Sequence, residues 1–259
     1  MGNGDGLVRQ RNEQGGAVRV VTLARPERRN ALNAEMLEQL RLAFDAEPPA
    51  EERVVVLRAE GTVFCSGVDL KEREHNGMAE SASPIEALLA TVERYPLPVV
   101  AAVQGDAIAG GNELALHCDF VVASSTARFG MSLAQIGLAP TWFLAKRLVE
   151  VGGPVFARRM LLLGDPLPAA ELADLGLIHA AVDPAGLDDA VAGVVDRLAA
   201  NAPLSLRAMK SVLLRQMTFR DAIEHADVDA LVERARQSAD AKEGIAARLA
   251  KRSPTFRGE

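Results

Sequence analysis

Cysteine, tryptophan and tyrosine are scarce in this 259-residue chain: it holds Cys65, Cys118, one tryptophan and one tyrosine. Two cysteines are too few for a disulfide framework, and no Cys/His spacing suits a metal, so disulfide scaffolds and zinc modules are excluded. No apolar run approaches the ~18 residues of a membrane helix. The start Met1-Gly2-Asn3-Gly4-Asp5-Gly6 lacks the charged and apolar regions of a signal peptide, and Gly6 stands where a myristoylation motif needs Ser or Thr. Lysine and arginine are outnumbered by acids, for a net charge of -6, which disfavours nucleic acid as a partner. These absences leave a globular protein of a reducing compartment, expected in the cytoplasm with no membrane partner. Its 49% apolar content is enough for one large core with an appendage.

The pattern that is present alternates strand and helix. Ala17 to Leu23 reads as a strand ended by Arg25-Pro26. Asn33 is placed to cap a helix through Met36, Leu37, Leu40 and Phe44, which Pro48-Pro49 stops. A buried strand follows at Val54 to Leu57. Next come a helix from Ile85 to about Tyr95, a strand from Val99 to Val103, a helix opened by glycines, and a strand from Phe120 to Ala123. This alternation predicts α/β layering with the ligand at strand ends. From Leu187 on the periodicity is helical only, with helices expected over Leu187 to Ala200, Pro203 to Leu214, Phe219 to Ser238 and Ala241 to Lys251. The chain therefore divides into a core, 1–186, and a helical region, 187–259.

Two stretches end apolar strands in free amides. Phe64-Cys65-Ser66-Gly67-Val68-Asp69-Leu70 is one. Ile108-Ala109-Gly110-Gly111-Asn112-Glu113-Leu114 is the other, and its unpaired N–H groups open a helix. Together they can polarise a carbonyl oxygen. Glu113, one turn after Gly110, can lean its carboxylate over the same cavity. His117 and Cys118 point about 100° apart on that helix and read as packed structural residues. Arg25, Arg28 and Arg29, with Lys251, Arg252 and Arg257, form basic clusters suited to phosphate.

With Arg29-Asn30-Ala31-Leu32-Asn33, Ala127-Arg128-Phe129-Gly130, Gly137-Leu138-Ala139-Pro140, Ala173-Asp174-Leu175-Gly176-Leu177-Ile178 and Lys251-Arg252-Ser253-Pro254-Thr255-Phe256, these segments stand in an order that resembles the crotonase superfamily, the enoyl-CoA hydratase/isomerase family. The resemblance runs nearly end to end. It implies an α/β crotonase-like spiral of strand-strand-helix units with a C-terminal helical trimerisation region, assembled as a homotrimer or a dimer of trimers. It implies an acyl-CoA thioester as substrate, with coenzyme A as part of that substrate and no metal or tightly bound cofactor. Val68 and Gly110 become the oxyanion donors and Glu113 the general acid/base. Arg29, Ala31, Ser66, Asp69, Leu70, Ile108, Gly111, Leu133, Gly137 and, from a neighbouring subunit, Phe256 become substrate contacts.

The chain also departs from that pattern. Met131-Ser132-Leu133-Ala134 puts Leu133 where a typical hydratase carries a second glutamate, which leaves efficient hydration in doubt. Pro140-Thr141-Trp142-Phe143 replaces a glycine-rich turn and is expected to reshape the acyl pocket. Glu72, Glu74 or His75 in the polar stretch 71–81 is a candidate for the missing acid. Other enolate reactions, namely decarboxylation or thioester hydrolysis, remain open. So do a non-catalytic CoA-binding oligomer and a serine hydrolase built on Ser132.

Overall fold

The computed structural model describes residues 6–72, 84–218 and 221–259. Six strands form the main sheet in the order β1 (Val8–Glu13), β2 (Val18–Leu23), β3 (Val54–Ala59), β4 (Val99–Val103), β6 (Phe120–Ser124) and β9 (Ala180–Val182). β1 is an antiparallel edge and the other pairings are parallel. A small second sheet joins β5 (Ala107–Ile108), β7 (Arg128–Gly130) and β8 (Leu167–Pro168).

Parallel strands buried on both faces are near-continuously apolar, and the two-residue period of a strand divides their side chains between two cores. In β4, Val99, Ala101 and Val103 face the larger core, where α1 (Ala34–Asp45) and α2 (Pro84–Arg94) pack. Val100 and Ala102 face the other way. That second face is covered by Leu187, Val191, Val195 and Leu198 of the helix Leu187–Ala199. Each such buried side chain stabilises on the order of 1.5–3 kcal/mol. The first helix after residue 186 is thus a core layer, and the helices beyond it are the outlying part.

Local rules set the boundaries. The Asn33 side chain accepts from the Met36 N–H at 3.0 Å and caps α1 as expected. The glycine-opened helix α3 spans Gly110–Leu116. A long helix α4, Trp142–Arg158, is capped by Thr141. One expected helix begins late: between Phe219 and Ser238 the helix covers only Ala226–Gln237. Ahead of it, Asp221 pairs with Lys146 at 2.5 Å and the His225 ring stacks on Trp142 at 4.7 Å. These contacts with α4 hold 221–225 as a non-helical link. The last helix, Ala239–Leu249, follows directly.

Candidate active site

The cavity forms where the two amide-bearing stretches meet at the parallel strand ends. In the first stretch most amides are occupied. Cys65 N–H donates to the Asp106 carbonyl, Ser66 N–H to that of Arg29 and Asp69 N–H to that of Leu32. Val68 N–H has no such acceptor among the described residues. In the second stretch Gly110 opens α3 and so has no intrahelical acceptor. The two amides stand side by side: a Cβ placed on Gly110 would lie 3.5 Å from the Val68 nitrogen, and one on Gly67 would lie 3.1 Å from the Gly110 nitrogen.

A strained residue sets this arrangement. Ala109 adopts φ 50°, ψ -115°, a conformation that costs a non-glycine residue about 1–3 kcal/mol. Its own N–H donates to the Gly130 carbonyl at 2.7 Å, tying α3 to β7. The twist at Ala109 turns the next amide, that of Gly110, out of the sheet. Nothing in an alanine announces this role, and the sequence reading passed it over.

The cavity holds about 830 Å³ including its open mouth. Of the residues expected at the site, Ser66, Val68, Leu70, Ile108, Gly110 and Leu133 line it. Ile85 and Leu144, which no motif marked, join Met131 and Leu138 in an apolar wall. Ser132 lines it too, with no histidine or carboxylate hydrogen-bonded to its hydroxyl among the described residues. Arg236 and Arg248 close it from the two last helices.

Glu113 differs from the expectation that it leans over the cavity. Its side chain is 0% exposed, one turn behind Gly110, and it does not reach the cavity wall. Among the described residues neither carboxylate oxygen has a hydrogen-bond partner within 3.5 Å. Burial pushes its pKa up to about 8, against smaller opposing effects of the Arg147 charge and the adjacent Asn112 side chain. His117 Nδ1 lies 3.7 Å from Glu113 Oε2, but the same nitrogen is 2.8 Å from the Glu113 backbone carbonyl. Burial lowers the His117 pKa to about 3, so the ring is neutral; it stacks on Phe143. Cys118 is likewise buried, with its Sγ–H donating to the Leu114 carbonyl. Both residues are structural.

Several expected contacts support the cavity from behind. The Ala31 carbonyl and the Asp69 carboxylate both accept from the Arg25 guanidinium, which is therefore engaged within the fold. Burial alone would raise the Asp69 pKa, but hydrogen bonds from Arg25 and from the backbone of Lys71 and Glu72, with the Arg25 charge, together hold it below its ordinary value. Arg29 offers its carbonyl to Ser66. Gly111 packs α3 against the Cys65 backbone, where a Cβ would meet the carbonyl oxygen at 2.2 Å. Gly137, with φ 70°, lets the start of the last helix approach, since a Cβ would meet the Asp240 carbonyl at 2.6 Å. Arg252 forks onto Glu243, while Arg28, Arg29, Lys251, Arg257 and Phe256 are exposed. Trp142 packs on His225 outside the cavity wall. Glu72 accepts from the Ala34 N–H at the start of α1. Glu74 and His75 lie outside the described residues. Among the described residues no cluster of His, Cys, Asp or Glu suits a metal, and no helix is long and apolar enough to cross a membrane.

The enoyl-CoA hydratase/isomerase family profile matches residues 13–259. A putative enoyl-CoA hydratase of Thermus thermophilus is 38% identical over 251 residues, covering 93% of this chain and 98% of that protein. The crystal structure of an enoyl-CoA hydratase from Mycobacterium avium subsp. paratuberculosis superposes with a TM-score of 0.83 at 27% identity, covering 97% of this chain and 98% of that one. A methylmalonyl-CoA decarboxylase structure shares the fold with a TM-score of 0.89 at 22% identity, covering 98% of both chains. The α/β architecture is the crotonase fold, and the chain belongs to the enoyl-CoA hydratase/isomerase family of the crotonase superfamily.

Proposed function

We propose that this protein transforms acyl-CoA thioesters by way of an enolate, in the manner of a hydratase or isomerase. The thioester oxygen accepts from the Val68 and Gly110 N–H groups, and Glu113 moves the proton at the carbon beside the thioester. One observation carries this reading: two side-by-side amides, one without an acceptor and one opening a helix, face a cavity, with a buried, unpartnered carboxyl one helical turn behind. Donors aimed at a developing oxyanion in an apolar site are worth far more than in water. A carboxyl raised to about 8 is matched to proton transfer near neutrality. Because no hydrogen bond holds that carboxyl, rotation of its side chain toward a bound thioester breaks none.

Leu133 on the cavity wall supplies no second acid. Enolate reactions that need one acid/base are favoured over hydration, which must also activate water, and over double-bond shifts that draw on a carboxylate at that same position. Coenzyme A enters as part of the substrate, its phosphates drawn to the exposed Arg28, Arg29, Lys251 and Arg257. The helix Pro203–Met217 exposes Leu204, Met209, Val212 and Leu213. That apolar face supports assembly as a trimer or a dimer of trimers, which light scattering would size.

A panel of acyl-CoA esters followed by mass spectrometry, with an ultraviolet check for double-bond shifts, tests the reaction class. Conversion of an enoyl or β-substituted ester is expected. Absence of both binding and conversion for every ester in a folded sample overturns the reading.

A further inference from the structure

Among the described residues, Arg236 and Arg248 are the only charged side chains on the cavity wall, which is otherwise apolar apart from two serines, and no carboxylate shares the wall with them. Among the described residues the Arg248 and Arg236 side chains make no hydrogen bond and no ion pair within 4 Å. Glu86, at the start of α2, feels the charge of Arg236 and also that of Asp229, and Glu233 stands three residues before Arg236 on its own helix. Glu86 is half-buried, and burial raises its pKa against the lowering effects of a Thr141 hydrogen bond and the Arg236 charge; no ion pair within 4 Å joins it to Arg236 among the described residues.

Both arginines are held by the fold. The link ahead of the helix Ala226–Gln237 is pinned by the Trp142–His225 stack and the Lys146–Asp221 pair. The last helix is seated so closely that a Cβ on Gly244 would fall 2.4 Å from the Ile136 carbonyl. Arg248 is exposed at the cavity mouth, whereas Arg236 is half-buried, and a half-buried cation beside an apolar wall attracts an anion more strongly than a fully solvated one does. Arg236 shares its wall with Ile85, the end of whose side chain lies where a Cβ on Gly110 would fall. That places it in the compartment of the acyl group, whereas the exposed basic residues outside the wall remain for the phosphates of coenzyme A.

We propose that the cavity selects thioesters whose acyl chain ends in a carboxylate, with Arg236 as its counter-ion and Arg248 as a second cation at the rim, an inference that rests on the CoA-thioester reading above. An apolar chain end would make no hydrogen bond to the half-buried Arg236 guanidinium on the wall. A terminal carboxylate accepts from the guanidinium fork in the bidentate geometry that arginine favours.

Calorimetry with chain-matched pairs, glutaryl-CoA against valeryl-CoA and adipyl-CoA against hexanoyl-CoA, tests this directly, with free coenzyme A as a third probe. The carboxylated member of at least one pair binds about tenfold tighter or better, as a charge-assisted fork predicts. In Arg236→Gln that ratio collapses toward one. The wild-type ratio stands as a test even if the variant fails to fold. Equal or weaker binding of both carboxylated esters overturns the inference while leaving the thioester reading intact. An equal loss for both esters and free coenzyme A in Arg236→Gln also overturns it, by assigning Arg236 to the coenzyme phosphates. Failure of every ester to bind sinks both.

Discussion

Two buried glutamates in this chain have opposite surroundings. Glu52, 2% exposed, accepts from Arg19 Nε at 2.9 Å and from the Tyr95 hydroxyl at 2.6 Å. Arg19 in turn donates to the Ala43 carbonyl and lies over the Phe44 and Tyr95 rings. Glu113 is as deeply buried and has no hydrogen bond to either oxygen. A buried polar group is normally satisfied by the fold, because leaving it unmade costs stability. Glu52 follows that rule and ties β2, α1 and the end of α2 together. Glu113 breaks it beside a cavity, which is what a group reserved for a ligand does.

The contrast predicts a division of effects. Glu113→Gln should lower turnover by about 10²–10⁴-fold, the range of a general acid/base, without lowering thermal stability. Glu52→Gln should do the reverse. It leaves Arg19 with a neutral partner and should cost on the order of 3 kcal/mol by denaturant unfolding, with turnover largely kept. If the two variants behaved alike, the distinction between a structural and a reserved carboxyl would be lost.

Gly110→Val should lower kcat by about 10²–10³-fold, the usual cost of losing one oxyanion donor. Its new Cβ would meet Ile85 Cδ1 at 2.6 Å, the far end of a flexible side chain, and the Gly67 and Val68 backbone only at 3.4–3.5 Å. The fold should therefore survive, as circular dichroism would verify.

A subtler effect follows from the raised pKa. Folded Glu113 holds its proton to about pH 8, whereas the unfolded chain releases it near 4.5. Between these values the unfolded state binds fewer protons, so wild-type stability falls as pH rises. Relative to Glu113→Gln, the wild-type Tm should decline from pH 4.5 to about 8 and level off above, while proton abstraction rises toward pH 8. A flat Tm difference would show that the carboxyl is not held protonated. The smallest effect is expected from Leu133→Glu, which adds an acid on the cavity wall: hydration of crotonyl-CoA should rise modestly above a weak wild-type rate, at some loss of stability from burying a carboxyl.

The sequence disclosed those parts of the fold governed by local rules. Asn33 marked its helix by capping chemistry, and the apolar runs of β3 and β4 marked strands buried on both faces. The glycines before Asn112 marked the amides of α3. Strand β1 escaped because its residues, Val8–Glu13, are mostly polar and exposed at a sheet edge, without the alternation that a half-buried strand shows. β5 and β8, two residues each, are too short to carry a period. At the site, Val68, Gly110 and Leu133 were legible because their positions follow from motif order. Arg236 and Arg248 were not, since charges on an amphipathic helix ordinarily face solvent. Only the return of the last helices over the cavity, held by Trp142 and Gly137, brings Arg236 onto its wall and Arg248 to its rim. The enclosure of Glu113 was equally illegible, as it depends on packing by residues far along the chain.

Proton transfer by Glu113 is tested most directly by exchange at the α-carbon of a saturated acyl-CoA in deuterium oxide, followed by proton NMR. Wild-type protein should wash out the α-proton signal, and Glu113→Gln should bind the same ester without exchange. Exchange by Glu113→Gln at the wild-type rate would contradict the assignment of Glu113 as the group that moves the proton.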